Sequence, residues 1–262
     1  MTNSGNWTAE GFPSEVPHHQ EVLDGTDWAS LATAYGTGDS LPSALVRLLD
    51  LDPSVRAGAV KDALDEVTHQ NSIYEATVPV ALYVAAVLNH PATAAGEDDH
   101  VLHPTREQLL DWLAYTAYDA DDECVAMGRQ HFGEGFLDAC PHMRAFRDLR
   151  PQIYCAVQPL LTDGNASVRD AALVAAIPLT EHPALTERRN ELAPHAGRLL
   201  GASTDRFRRD RVLDALQAWG HHTSPLENAD DITARELRTR LADPDYWWAN
   251  NGTGASAEDP PF

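Results

Sequence analysis

Residues 48–59 read LLDLDPSVRAGA, and residues 160–172 read LLTDGNASVRDAA. Each stretch sets two leucines before an acidic turn, then Ser-Val-Arg, then small residues. The leucines close one helix, the turn reverses the chain, and the serine is placed to cap the next helix. The arginine, one turn in, can tie the turn to an acidic neighbour. The two Ser-Val-Arg sites are 113 residues apart, about three units of the forty-odd-residue period of helical-pair repeats. A third, degenerate copy, LLGASTDRFRRDRV at 199–212, starts 39 residues after the second.

Helical periodicity extends outward from these stretches. Val55, Ala59, Ala63, Leu64 and Val67 recur at three- and four-residue intervals, which puts them on one face of a helix beginning at Ser54. Residues 77–88 (TVPVALYVAAVL) are apolar on all sides after a Thr-x-Pro start, the pattern of an inner, packed helix. Leu109, Leu110, Leu113 and Ala117 align over 105–117, and further helices are expected over 151–161, 167–178, 185–200 and 206–218. Shorter helices over 27–35 and 42–51 complete the pairs. Strand signals are nearly absent. The expected fold is all-α: a right-handed superhelical solenoid of about five helical pairs. One domain, 23–249, is expected between a mobile polar segment, 1–22, and a disordered tail, 250–262 (NNGTGASAEDPPF), neither able to bury a core. Tyr246, Trp247 and Trp248, just before that tail, are expected to pack back over the last helices as a cap.

Leu48, Leu49, Asp52, Pro53, Val55 and Arg56 together resemble the unit of HEAT-repeat proteins, with its Leu-Leu ending, Asp-Pro turn and Val-Arg opening. Residues 28–36 (WASLATAYG), His69-Gln70 and 74–79 (YEATVP) are similar to small HEAT-repeat proteins of the actinobacterial type, and 18 Arg against one Lys fit a high-GC genome. The resemblance spans residues 25–220. It implies HEAT-like helical pairs and an adaptable binding scaffold; its motifs specify architecture more than activity.

With 262 residues, 43% hydrophobic and 23% charged, disorder throughout is excluded. Nineteen Lys+Arg stand against 40 Asp+Glu, a formal charge of −21, which repels nucleic acid and anionic membranes and attracts a basic protein. Residues 1–100 carry 15 acids against Arg47, Arg56 and Lys61, whereas residues 151–262 carry 16 against 11 Arg, so the acidic field is strongest over the N-terminal part. No apolar run is long enough to span a membrane, and residues 1–19 lack the basic and apolar regions of a signal peptide, so a cytoplasmic protein is expected. Cys124, Cys140 and Cys155, an odd count, are expected to be reduced thiols.

Spacing stretches at 89–104 and 118–140, where acidic, histidine and glycine residues gather. Insertions in solenoids are either solvated loops or parts of the binding face. The partner-binding candidates are therefore Asp98, Asp99, Asp119, Asp121, Asp122 and Glu123. His69, Gln70 and Tyr74 join them, as either carbonyl caps at a helix end or groove-lining residues. Cys124, His131, Cys140 and His142 lack the tight knuckle of a zinc site, and the acidic run lacks the glycine and distal glutamate of a calcium loop. No metal and no cofactor is expected. There is no Gly-x-Ser-x-Gly, no protease-type cysteine and no Gly-x-x-x-x-Gly-Lys, and Lys61 lies inside a helix. The pairs His18-His19 and His221-His222 are expected to be solvated at element ends.

DNA-alkylation repair glycosylases also use HEAT-like repeats and set the enzyme alternative. Their basic track has one counterpart here, Arg206, Arg208, Arg209 and Arg211, with Arg188 and Arg189 adjacent; acids on neighbouring repeats are the expected partners of these arginines. The expected function is non-catalytic binding of a basic protein, as in an immunity protein neutralising a nuclease-like toxin. The alternatives are a regulatory or assembly scaffold, or a repair-glycosylase-like enzyme.

Overall fold

The computed structural model of the chain describes residues 15–95 and 104–242. These residues form an all-α structure, with isolated bridges at Ala32–Thr37 and His69–Ser72 and no strand among them. The helices are α1 (His19–Gly25), α2 (Leu41–Val46), α3 (Pro53–Leu64), α4 (Thr77–Val87), α5 (Pro91–Ala94), α6 (Thr105–Tyr118) and α7 (Asp122–Phe132). After them come α8 (Phe136–Ala139), α9 (Pro141–Asp148), α10 (Arg150–Val157), α11 (Ala166–Leu179), α12 (Arg189–Ala202), α13 (Arg206–Ala218) and α14 (Ala229–Ala242). Among the described residues no helix is long and apolar enough to cross a membrane. The chain divides into two compact units, 1–196 and 197–262, the boundary falling within α12.

The N-terminal unit is organised as two rows of helices. In one, α3 packs on α6 and α6 on α11, the most extensive helix pairing among the described residues; in the other, α1 packs on α4 and α4 on α10. The rows share a core to which α6 contributes Leu109, Leu110 and Leu113, α4 contributes Val80, Ala81 and Val84, and α11 contributes Val168, Ala171 and Val174. Each large apolar side chain so buried adds roughly 1.5–3 kcal/mol. The inner position expected for α4 is what its all-round apolar sequence produces, with α1, α9 and α10 packed around it.

The helix-opening stretches fold alike, with one correction. The cap is not the serine but the residue two positions earlier: Asp52 accepts from the Ser54 amide (2.8 Å) and Asn165 from the Ser167 amide (2.9 Å). In the degenerate copy Asp205 accepts from the Arg208 amide (3.0 Å). The arginine four residues beyond each cap turns back to backbone carbonyls of the turn, and in the third copy it meets an acid, Asp231, as well. Arg56 donates to the carbonyls of Asp50 (2.7 Å) and Leu51 (3.2 Å), and Arg169 to those of Asp163 (2.7 Å) and Gly164 (2.9 Å). Arg209 does the same to Ser203 (3.1 Å). Carbonyls that a turn would leave bare are thereby satisfied by a fixed cation. Only α6 lies between α3 and α11 in their row, so these two helices are two helix steps apart, each step lengthened by inserted segments.

Elsewhere tertiary contacts override the sequence pattern. Residues 27–35 form a short 3₁₀ turn, Trp28–Ser30, and then a loop, because Ala34 N–H donates to the Glu66 carbonyl and Ala76 N–H to the Ala32 carbonyl. Helix α1 starts inside the stretch expected to be mobile. Residues 118–140 are not loop but α7 and α8, joined through Gly133 (φ +92°), with the Phe136 ring laid so closely on Gly128 that a Cβ there would overlap it. The segments 1–14, 96–103 and 243–262, with Asp98, Asp99, the tail and the Tyr246–Trp248 aromatics, lie outside the described residues.

Candidate functional site

Three of the residues singled out in the sequence, His69, Gln70 and Tyr74, come together on one turn. Helix α3 ends at Leu64 and a 3₁₀ turn carries the chain to Val67, so His69 and Gln70 do not close a helix but form the turn itself. Ser72 N–H donates to the His69 carbonyl (3.1 Å), with Gln70 (φ 49°) and Asn71 (φ 56°) both left-handed between them. Both central residues of this turn type need positive φ, which glycine adopts freely and glutamine only at a cost. Trp112 of α6 braces the turn by donating to Thr68 Oγ1 (2.7 Å), and Thr77 Oγ1 donates to the Val67 carbonyl (3.1 Å).

Against the turn lies the loop 31–40. Its Tyr35, 69% exposed, places its ring 5.8 Å from that of His69, and the Tyr74 hydroxyl reaches the His69 carbonyl (3.5 Å). Glu75 accepts from Ala32 N–H (3.0 Å), and Glu66 reaches the hydroxyls of Thr33 and Ser40 (3.5 Å each). The spans 27–40 and 65–76 contain Asp27, Asp39, Asp65, Glu66 and Glu75 and no Lys or Arg. Among the described residues none of the five carboxylates is in an ion pair; the nearby Arg47 is taken by Asp62 (2.7 Å). The result is an exposed aromatic group held rigidly in an uncompensated negative field.

The acidic run 119–123 is placed differently. Asp121 is buried and caps α7 through the Cys124 amide (2.7 Å). Asp122 pairs with Arg147, and its N–H donates to Glu181 (2.9 Å). Arg150, fully buried, faces Glu181 at 3.1 Å and donates to the Ala120 carbonyl (2.8 Å). Glu123 is exposed on α7. The run is thus chiefly the joint that seats α7. Burial holds Glu181 above the usual carboxylate range although Arg150 pulls it down.

The adjacent His182 accepts through Nδ1 from the Ala184 amide (3.2 Å), and burial followed by Arg150 holds it below its ordinary value of 6.5. A base depressed on folding contributes fully above pH 6.5 and loses that contribution as pH falls through its folded value. The melting temperature is therefore expected to drop between pH 6.5 and the folded value, and His182→Asn, which keeps a cap acceptor, should flatten the drop. An equal slope in both proteins would remove His182 as the cause.

Arg208 sits 3.7 Å from Asp205, Arg209 is locked to Asp231, Arg211 stacks 5.4 Å from the Phe207 ring, and Arg238 reaches Asp210 (3.4 Å). A cavity of about 300 Å³ holds Arg206 and Arg209, but Asp230 and Asp231 line it too, which opposes a phosphate track. Burial, followed by Asp121, pushes the Cys124 thiol up to about 12, the reverse of what a nucleophile or a ligand thiolate needs. Among the described residues no three His, Cys, Asp or Glu side chains converge to hold a metal ion. The chain matches no protein-family model, no curated protein and no solved structure.

Proposed function

We propose that this protein is a non-catalytic, HEAT-like solenoid whose acidic aromatic face, Tyr35, His69, Gln70 and Tyr74, docks a basic protein. The observation that carries this reading is the rigid, strained turn presenting those rings among five unpaired carboxylates. Backbone strain of this kind persists where the surrounding structure enforces it and clusters at functional positions, and exposed tyrosines in a one-signed field suit recognition that is steered by charge and anchored by aromatics. The two rows of the N-terminal unit, in which successive helices stack on their counterparts, support the right-handed solenoid part of the proposal. A cytoplasmic immunity protein that neutralises a basic, nuclease-like toxin has these requirements, and the three free thiols suit that compartment.

The test is affinity purification from the native host at about 50 mM and about 500 mM salt, concentrations across which exposed charges become screened. A single stoichiometric basic protein, released by salt and lost on Tyr35→Ala with Asp65→Asn, is the expected result. Recovery of the bare protein, or capture indifferent to salt and to both substitutions, overturns the reading; salt-insensitive capture favours an ordinary assembly scaffold.

A further inference from the structure

We propose that His18, His19 and His90 form a protonation-gated latch that fastens α1 to α4. The three imidazoles are one cluster. The His19 ring lies 4.2 Å from His18, 5.7 Å edge-on from His90 and 6.0 Å edge-on from Tyr83 of α4. Two of them work as helix caps: His18 Nδ1 accepts from the Gln20 amide (3.3 Å), opening α1, and His90 Nδ1 from the Ala92 amide (3.1 Å), opening α5. A nitrogen that accepts carries no proton, so protonating either ring sets donor against donor and breaks that cap. Two positive rings this close would also repel each other.

The surroundings reinforce the neutral state. Burial, then His18 and His90, hold His19 below its ordinary value. Tyr83 is wholly buried, its hydroxyl has no hydrogen-bond partner, and burial pushes it up to about 12, so it supplies no negative charge. His19 forms part of two cavities, one of about 290 Å³ with Asp50, Leu23 and Val46, the other of about 380 Å³ with Glu15, Asn89 and Cys155. Among the described residues lining these cavities, the carboxylates of Asp50 and Glu15 favour the imidazolium, yet His19 is held below its ordinary value. Helix α1 has seven residues and buries only Val22 and Leu23, and its last turn is held by Trp28 Nε1 donating to the Leu23 carbonyl (3.0 Å), so its apolar hold on α4 is small. The first proton is accommodated by letting α1 swing away from α4, which joins the two cavities at His19 and opens Tyr83 to water.

Amide exchange of the whole chain, corrected for its intrinsic pH dependence, tests this between about pH 7.5 and pH 5.5, on either side of the ordinary imidazole value. The α1 amides are expected to lose at least about tenfold protection relative to those of α3. His18→Asn with His90→Asn, which keeps an acceptor at both caps, should hold α1 protection constant over that range. Loss of protection in the double variant as large as in the parent, or no loss in the parent, overturns the latch. Ring-proton titration of the parent is independent of how the variants fold. Separated steps, with one below the ordinary imidazole range, support the proposal, whereas three unlinked titrations at the ordinary value overturn it.

Discussion

Asp231→Ala is expected to unfold the C-terminal unit at room temperature, costing about 3–5 kcal/mol, the penalty for breaking a buried ion pair from one side. Arg209 and Asp231 are only 3% and 2% exposed, and the guanidinium Nε approaches both carboxylate oxygens (3.0 and 3.1 Å). The carboxylate also accepts from the Asn228 amide (2.8 Å), so its loss orphans the start of α14 together with the arginine. Arg209 holds the carboxyl below the usual carboxylate range. That contribution is complete above the unfolded value, near 3.8, and fades as pH falls through the folded one. Chemical denaturation followed by far-ultraviolet circular dichroism reads the loss. Arg209→Met combined with Asp231→Leu should recover much of it, because a paired apolar replacement leaves no stranded charge. A double variant as unstable as the two single changes added together would show that packing, not the pair, holds this unit.

Arg56→Ala should cost the N-terminal unit about 3–5 kcal/mol, several-fold more than the same change at Arg169, since each buried acceptor left bare costs about 1–3 kcal/mol. Both arginines tie the same two turn carbonyls, but Arg56 is 2% exposed and donates in addition to the Ala95 carbonyl and to Thr105 Oγ1 (3.3 Å). Arg169 is half-buried and its carbonyls can turn to water. Lysine in place of Arg56 should rescue little, because a point charge with rotating donors cannot reach four acceptors at once. Urea melts of the three variants give the ranking; equal losses at 56 and 169 would show that the extra contacts of Arg56 contribute nothing.

The long helices are legible because apolar pattern decides them: α3, α6, α10, α11 and α13 lie where apolar residues recur on one face, and α4 where they run all round. The caps were within reach too. Pro53 at the first helical position already implies that Asp52, not Ser54, is the cap. Helix α1 gave no such signal, since HQEVLDG is short and polar and folds only against α4. Helix α7 follows from a remote fact, the placing of Arg147 and Arg150 beneath residues 120–122. At the site, His69, Gln70 and Tyr74 were found, but Tyr35 was hidden in a stretch that reads as helix. No local pattern brings residues 31–37 beside 66–76; that pairing is made by backbone hydrogen bonds between segments more than thirty positions apart.

Arg56 and Arg169 grip neutral carbonyl oxygens, and a cation on a dipole responds to dissolved ions far less than a cation on a carboxylate. The exposed acidic face has the opposite sensitivity. If the proposed docking of a basic protein holds, brine that strips such a partner from Asp39, Asp65 and Glu75 should leave the turns of the scaffold closed, so that the same molecule could be rinsed and loaded again without refolding.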